Sequence, residues 1–183
     1  MISRRKLAVG SLVGALFGLS GVALLRNDAS IRFMGQGNTI IALLDTSRER
    51  VLFVLGEQNA GLLEKLNGLT TAGNSRIDLV VATHRILTTQ AGRKHLRPDL
   101  PPTLAVQTSS SLPPLRGRVT TALDSTTVEI GGETRIEVEV AGSDPDHPDF
   151  LVTILCQGAD IVFTNSKSGL RLMKDPTCDL LAL

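Results

Sequence analysis

The segment RIDLVVATHRILTT, residues 76–89, contains an apolar stretch of strand length that ends in a threonine and a histidine. After Asp78 this stretch carries no charge, and its β-branched side chains are typical of a strand buried on both faces of a sheet. A residue that follows such a strand lies at the edge of the sheet, where α/β folds place their sites. The sequence therefore predicts a central strand that delivers His84 to a candidate site.

The end of this predicted strand resembles the metallo-β-lactamase fold hydrolases, in particular their competence (DNA-uptake) branch. In that family a strand ending Ile-Asp-x-Leu-x-x-Thr-His runs into a His-x-His-x-Asp-His metal loop. The residues that match the strand are Ile77, Asp78, Thr83 and His84. The resemblance implies three further ligands, but their positions hold Ile86, Thr88 and Thr89. A zinc or manganese site needs three or four nitrogen, sulfur or carboxylate donors, so the sequence predicts an incomplete site with no cofactor.

Other family motifs occur in the same order and are also altered. Residues 35–38, GQGN, resemble the Val-Gly-Gln-Gly-Asp turn of the competence branch. The family's Asp-x-Gly motif falls at residues 54–56, VLG, where the aspartate is missing. Ser166 stands where the resemblance places a carboxylate that bridges two metals, and a neutral hydroxyl is a poor substitute for it.

The resemblance covers about residues 31–170 and implies an α/β (α+β) fold, a reduced αββα-type layered sandwich of metallo-β-lactamase kind. Apolar periodicity predicts an amphipathic helix at residues 59–71, and alternation predicts strands in both halves, as in TRIEVEV at residues 134–140. We expect three parts: a leader at residues 1–30, a degenerate metallo-β-lactamase-like domain at 31–170, and a tail at 171–183.

The leader has a basic start, SRRKL, followed at residues 7–25 by a run without charge. At about 1.5 Å per residue, a helix of this length approaches the roughly 30 Å hydrocarbon thickness of a bilayer. Two interpretations stay open: an uncleaved membrane helix, or a twin-arginine-like export signal. In both, the basic residues before the run place the N-terminus in the cytoplasm and the domain outside it. The leader is therefore expected to contact the membrane through residues 7–25.

The composition argues against a strong nucleic-acid surface. The net charge is +1, and no basic stripe follows residue 30. Phosphate binding needs clustered Lys and Arg, and stacking on single strands needs aromatic side chains. The chain has no Trp or Tyr and only five Phe. The sequence identifies no protein partner.

Three groups outside the central segment carry possible chemistry. Residues 144–149, DPDHPD, combine carboxylates with an imidazole. They form either a solvated turn or, if Asp146 and His147 converge with His84, a noncanonical metal site.

Cys156 and Cys178 could form a disulfide that stabilises the fold by roughly 3 kcal/mol outside the cytoplasm, or Cys156 could be a buried small hydrophobe. Residues 166–168, SKS, are better explained as an exposed turn than as a Ser/Lys nucleophile.

Two functional hypotheses follow from these observations. The first is a membrane-anchored, extracytoplasmic domain that lacks a complete metal site and serves as a non-catalytic binding or structural module. The alternative is a metal-dependent hydrolase with a reduced site at His84 that uses Zn or Mn. A third possibility is a β-rich envelope domain unrelated to the family.

Overall fold

The structure is a computed structural model that describes residues 19–24, 29–36, 39–56, 61, 66, 76–96, 102–106, 119–122, 125–132, 134–141, 149–156, 158–164 and 180–182. These residues form two β-sheets, here called the first and the second sheet. Two short helices, α1 (His84–Thr88) and α2 (Gln90–Leu96), follow a strand of the first sheet.

The first sheet has seven strands in chain order. They are β1 (Leu19–Leu24), β2 (Ser30–Gln36), β3 (Thr39–Asp45), β4 (Arg50–Gly56), β5 (Leu79–Thr83), β6 (Thr103–Val106) and β7 (Val119–Ala122). The pairs from β1 to β4 are antiparallel, and those from β4 to β7 are parallel. Every residue of β4, β5 and β6 is buried, as expected for strands covered on both faces.

The second sheet has five strands and is mostly antiparallel. They are β8 (Ser125–Ile130), β9 (Thr134–Ala141), β10 (Asp149–Cys156), β11 (Ala159–Thr164) and β12 (Leu180–Ala182), in the order β12-β11-β10-β9-β8. Strand β8 alternates exposed and half-buried residues, so it has one face toward solvent. Gly131 and Gly132, with φ of 56° and 82°, turn the chain between β8 and β9.

The two sheets share a hydrophobic core, to which alternate residues of both contribute. From the first sheet come residues such as Val51, Phe53 and Val81, and from the second Phe150 and Phe163. The rings of Phe53 and Phe163 meet across the interface, with centroids 5.8 Å apart and planes inclined at 47°. This contact joins the two halves of the chain, which the sequence shows only as separate strand patterns.

The opposite face of the first sheet packs against helical residues. Leu66, Ile86, Leu87 and Leu96 are buried there against strand residues such as Leu52 and Val80. Gly61 and Leu66 are helical, which agrees with the helix predicted at residues 59–71 as far as the structure describes that segment.

The predicted fold class, an α/β (α+β) layered sandwich of αββα type, is wrong. About 70% of the described residues are in strands, arranged in two sheets with almost no helix. The αββα layering was implied by the family resemblance and not by the residues. The residue patterns predicted strands in both halves, and in the second half the apolar faces of these strands pack against the first sheet.

The predicted N-terminal membrane helix is corrected at residues 19–24, while the rest of the 7–25 span lies outside the described residues. Residues 19–24, within the predicted 7–25 span, form β1 and pair with β2 from Leu19↔Gly35 to Leu24↔Ser30. A short apolar run is compatible with an edge strand as well as with a helix. Only pairing with a neighbouring strand shows which of the two forms. Among the described residues, none of the helices is long and apolar enough to cross a bilayer.

Candidate functional site

His84 lies at the carboxyl end of β5, the position that the sequence predicted for it. Strand β5 runs parallel between β4 and β6, and α1 begins directly after it. The side chain of His84 is 5% exposed, so it is buried at the sheet edge instead of projecting into solvent. The candidate site is therefore a packed turn that contains one imidazole.

Thr83 fixes the end of β5 to the end of β4. Its hydroxyl donates a buried hydrogen bond to the carbonyl oxygen of Gly56, at 2.7 Å. Gly56 has φ of 108°, a backbone conformation that favours glycine. The glycine of the VLG motif thus has a structural role even though the aspartate of the resembling motif is absent.

Ile86 fills the next position of the supposed metal loop with a core side chain. It is fully buried and packs in the cluster on the helical face of the first sheet. Its carbonyl oxygen accepts hydrogen bonds from the backbone N–H of Thr89 at 3.2 Å and from the Thr89 hydroxyl at 2.8 Å. The side chain at this position stabilises the fold and has no atom that could bind a metal.

The two threonines of the turn are engaged in backbone hydrogen bonds. The Thr88 hydroxyl donates to the carbonyl oxygen of Arg85 at 2.8 Å, and the Thr89 hydroxyl accepts from the N–H of Gly92 at 2.9 Å. A Cβ placed on Gly92 would approach the Ile86 carbonyl oxygen to 1.8 Å, so this close packing requires glycine. The residues of this turn do not fit the four-ligand loop of the resembling family.

Asp78 also matches the family motif. It precedes β5, at the end opposite to His84, and connects the beginning of β5 to the beginning of β4. Its carboxylate accepts from the backbone N–H of Arg50 at 2.9 Å, and its own N–H donates to the Arg50 carbonyl oxygen at 2.9 Å. The Arg50 guanidinium, 5% exposed, pairs with Asp45 at 2.9 Å, and Arg32 approaches the same carboxylate oxygen at 3.5 Å. These hydrogen bonds and ion pairs connect the end of β3, which carries Asp45, to the beginnings of β2, β4 and β5.

Of the other predicted candidates, Cys156 is among the described residues. Asp146, His147, Ser166 and Cys178 lie outside the described residues, so their convergence with His84 is not tested. Cys156 is fully buried in β10, and the hydroxyl of Thr134 lies 3.6 Å from its sulfur. In the part of the chain that the structure describes, no group of three or more His, Cys, Asp and Glu could hold a metal ion.

Comparison with known proteins gives similarity at the level of the fold. No sequence profile of a known family matches the chain, and no curated protein is significantly similar to it. Among solved structures, the chemotaxis sensor ODP from T. denticola, in its apo state, has a TM-score of 0.50 and 12% identity, over 80% of this chain and 62% of that one. A metallo-β-lactamase from Cronobacter sakazakii has a TM-score of 0.48 and 16% identity, over 80% and 64%. The structures that align with the chain include several metallo-β-lactamases, each with a TM-score below 0.5.

The similarity of the chain to those proteins covers only part of their length. A flavo di-iron protein from Thermotoga maritima has a TM-score of 0.49 and 10% identity, but only 41% of that chain is covered. For the lactamases from Cronobacter sakazakii the share is 60% to 64%. At these identities the likeness concerns the fold and carries over no activity.

Sequence reasoning missed two buried charged residues at the beginning of β4, Glu49 and Arg50. Glu49 is 7% exposed and Arg50 is 4% exposed. The only available signal was the alternation of charges in Arg48, Glu49 and Arg50 directly before an apolar strand.

Proposed function

We propose that this chain is a non-catalytic binding or structural module with a metallo-β-lactamase-like fold. The observation that carries the proposal is the turn after β5, where Ile86 is a core residue and the Thr88 and Thr89 hydroxyls bond to the backbone. Converting such a turn to metal binding requires loss of packing and of hydrogen bonds. The resemblance to the competence branch suggests a role in the cell envelope and stays a prediction.

The alternative, a metal-dependent hydrolase with a reduced site at His84, makes a distinct prediction about activity. We expect the parent and His84→Ala to give equal rates in phosphodiesterase and esterase assays with added Zn²⁺ or Mn²⁺, because one imidazole cannot assemble a metal-bound water. Urea unfolding of both proteins, measured in parallel, ensures that the compared samples are folded. A metal-dependent rate that His84→Ala abolishes in a folded sample would support the hydrolase.

A location at the cell membrane or outside the cytoplasm is the second part of the proposal. Its support is the basic start and the uncharged residues that follow it. Residues 1–30, fused to a reporter that is active only outside the cytoplasm, are expected to give signal in a bacterium with a twin-arginine pathway. Replacing Arg4 and Arg5 by lysine should abolish the signal if the leader uses this pathway and leave it intact if the apolar run acts as an anchor. A fusion without signal would contradict this location.

A further inference from the structure

The carboxylate of Glu49 is buried where the two sheets meet. The residue is 7% exposed, both carboxylate oxygens are buried, and among the described residues neither oxygen has a hydrogen-bond partner. A buried carboxylate without a partner is strongly unfavourable, because it loses its hydration and gains no hydrogen bond or ion pair in return. The arrangement therefore favours a local movement that returns this carboxylate to water.

On the side of the first sheet, hydrogen bonds fix the turn that carries Glu49. Its backbone N–H donates to the Thr46 hydroxyl at 2.8 Å, and its carbonyl oxygen accepts from the Thr46 N–H at 2.9 Å. The next residue, Arg50, pairs through its guanidinium with Asp45 at 2.9 Å and donates its backbone N–H to Asp78 at 2.9 Å. The turn between β3 and β4 is therefore not the part that we expect to move.

On the side of the second sheet, the carboxylate is covered by the turn between β8 and β9. A Cβ placed on Gly131 would collide with the Glu49 carboxylate, so the backbone of this turn lies directly against it. Gly131 and Gly132 are both exposed and have φ of 56° and 82°. Glycine loses more conformational freedom than any other residue when it is ordered, so a turn of two glycines regains the most when it opens. This turn is the part that can lift.

Cys156 lies at the same end of the second sheet as this turn. It is the last residue of β10 and pairs with Thr134, the first residue of β9 after the turn. Both residues are buried, and the Thr134 hydroxyl lies 3.6 Å from the Cys156 sulfur. An opening of the turn that separates Thr134 from Cys156 would give solvent access to this thiol.

We propose that the turn at Gly131 and Gly132 is a gate, that the unpartnered carboxylate of Glu49 keeps it only weakly closed, and that its opening exposes the thiol of Cys156. Proteins open locally with free energies well below that of global unfolding, and a buried group without compensation lowers the cost of such an opening. The gate involves none of the residues of the turn after β5. It concerns neither metal binding nor location, so it does not depend on the proposed function.

The rate at which iodoacetamide alkylates Cys156 in the reduced, native full chain tests the gate. Mass spectrometry of the peptides distinguishes Cys156 from Cys178. We expect alkylation of the parent to depend little on low concentrations of urea, because local opening exposes much less surface than global unfolding. Glu49→Met removes the charge at similar length and should slow the alkylation of Cys156 at least about tenfold, because the closed turn then buries an apolar side chain. Glu49→Gln, which keeps a polar group, should lie between the two.

Glu129→Met is the matched control, since it makes the same substitution at an exposed position on β8. Its alkylation rate should stay within about twofold of the parent. Urea unfolding of each variant shows that the compared samples are folded. Equal rates for the parent and a folded Glu49→Met would overturn the proposal. Resistance of the parent to alkylation, or a urea dependence equal to that of global unfolding, would overturn it as well.

Discussion

Replacing Phe163 by alanine is expected to lower the free energy of unfolding by about 3–5 kcal/mol, the usual cost of truncating a buried phenylalanine. Phe163 is fully buried in β11, and its ring contacts that of Phe53 on the other sheet. The substitution removes apolar area and leaves a cavity between the two sheets, which the strands around it can fill only in part. Urea unfolding monitored by circular dichroism measures the change.

The comparison variants for Phe163 test whether the two sheets share one core. Phe163→Leu retains part of the volume and should cost less than Phe163→Ala. Glu129→Ala, on the exposed edge of the second sheet, should change stability by no more than about 0.5 kcal/mol. If Phe163→Ala were as mild as Glu129→Ala, the packing of the second sheet against the first would be refuted.

Replacing Ile86 by histidine, the residue that the resembling metal loop has there, is expected to destabilise the protein by about 2–5 kcal/mol. Ile86 is fully buried among apolar side chains on the helical face of the first sheet. An imidazole in this place loses the packing of the isoleucine, and its polar nitrogens are desolvated without a prepared partner. Urea unfolding of the variant measures the effect.

Lys94→His is the control for Ile86→His, since it introduces the same side chain at an exposed position on α2. We expect it to lie within about 0.5 kcal/mol of the parent. Zn²⁺ should stabilise neither variant. A gain in stability of Ile86→His with Zn²⁺, absent from Lys94→His, would show that the turn still holds the geometry of a metal loop.

Strands of both sheets were largely predictable from the sequence because their signals are local. Residues 79–83 form an apolar run before His84, and such a run specifies a doubly buried strand without knowledge of its neighbours. The alternation in residues 134–140 likewise predicted β9, which is observed as Thr134–Ala141. The position of His84 at the sheet edge followed from the same signal.

The features that were not predicted depend on contacts between distant parts of the chain. Residues 19–24 are apolar enough for a membrane helix, and only their pairing with β2 makes them a strand. Glu49 belongs to a polar turn by sequence, but it is buried and lies against Gly131, in the turn between two strands of the other sheet. The αββα layering came from the family resemblance, whereas the described residues form two sheets with almost no helix.

The turn at residues 84–89 is part of the core and not a metal site. Isothermal titration of the purified full chain with Zn²⁺, alongside His84→Ala, tests this directly. We predict that the two proteins give the same titration curve, because Ile86, Thr88 and Thr89 supply no ligand to join His84. Stoichiometric Zn²⁺ binding by the parent that is lost in a folded His84→Ala protein would show that the turn is a metal site.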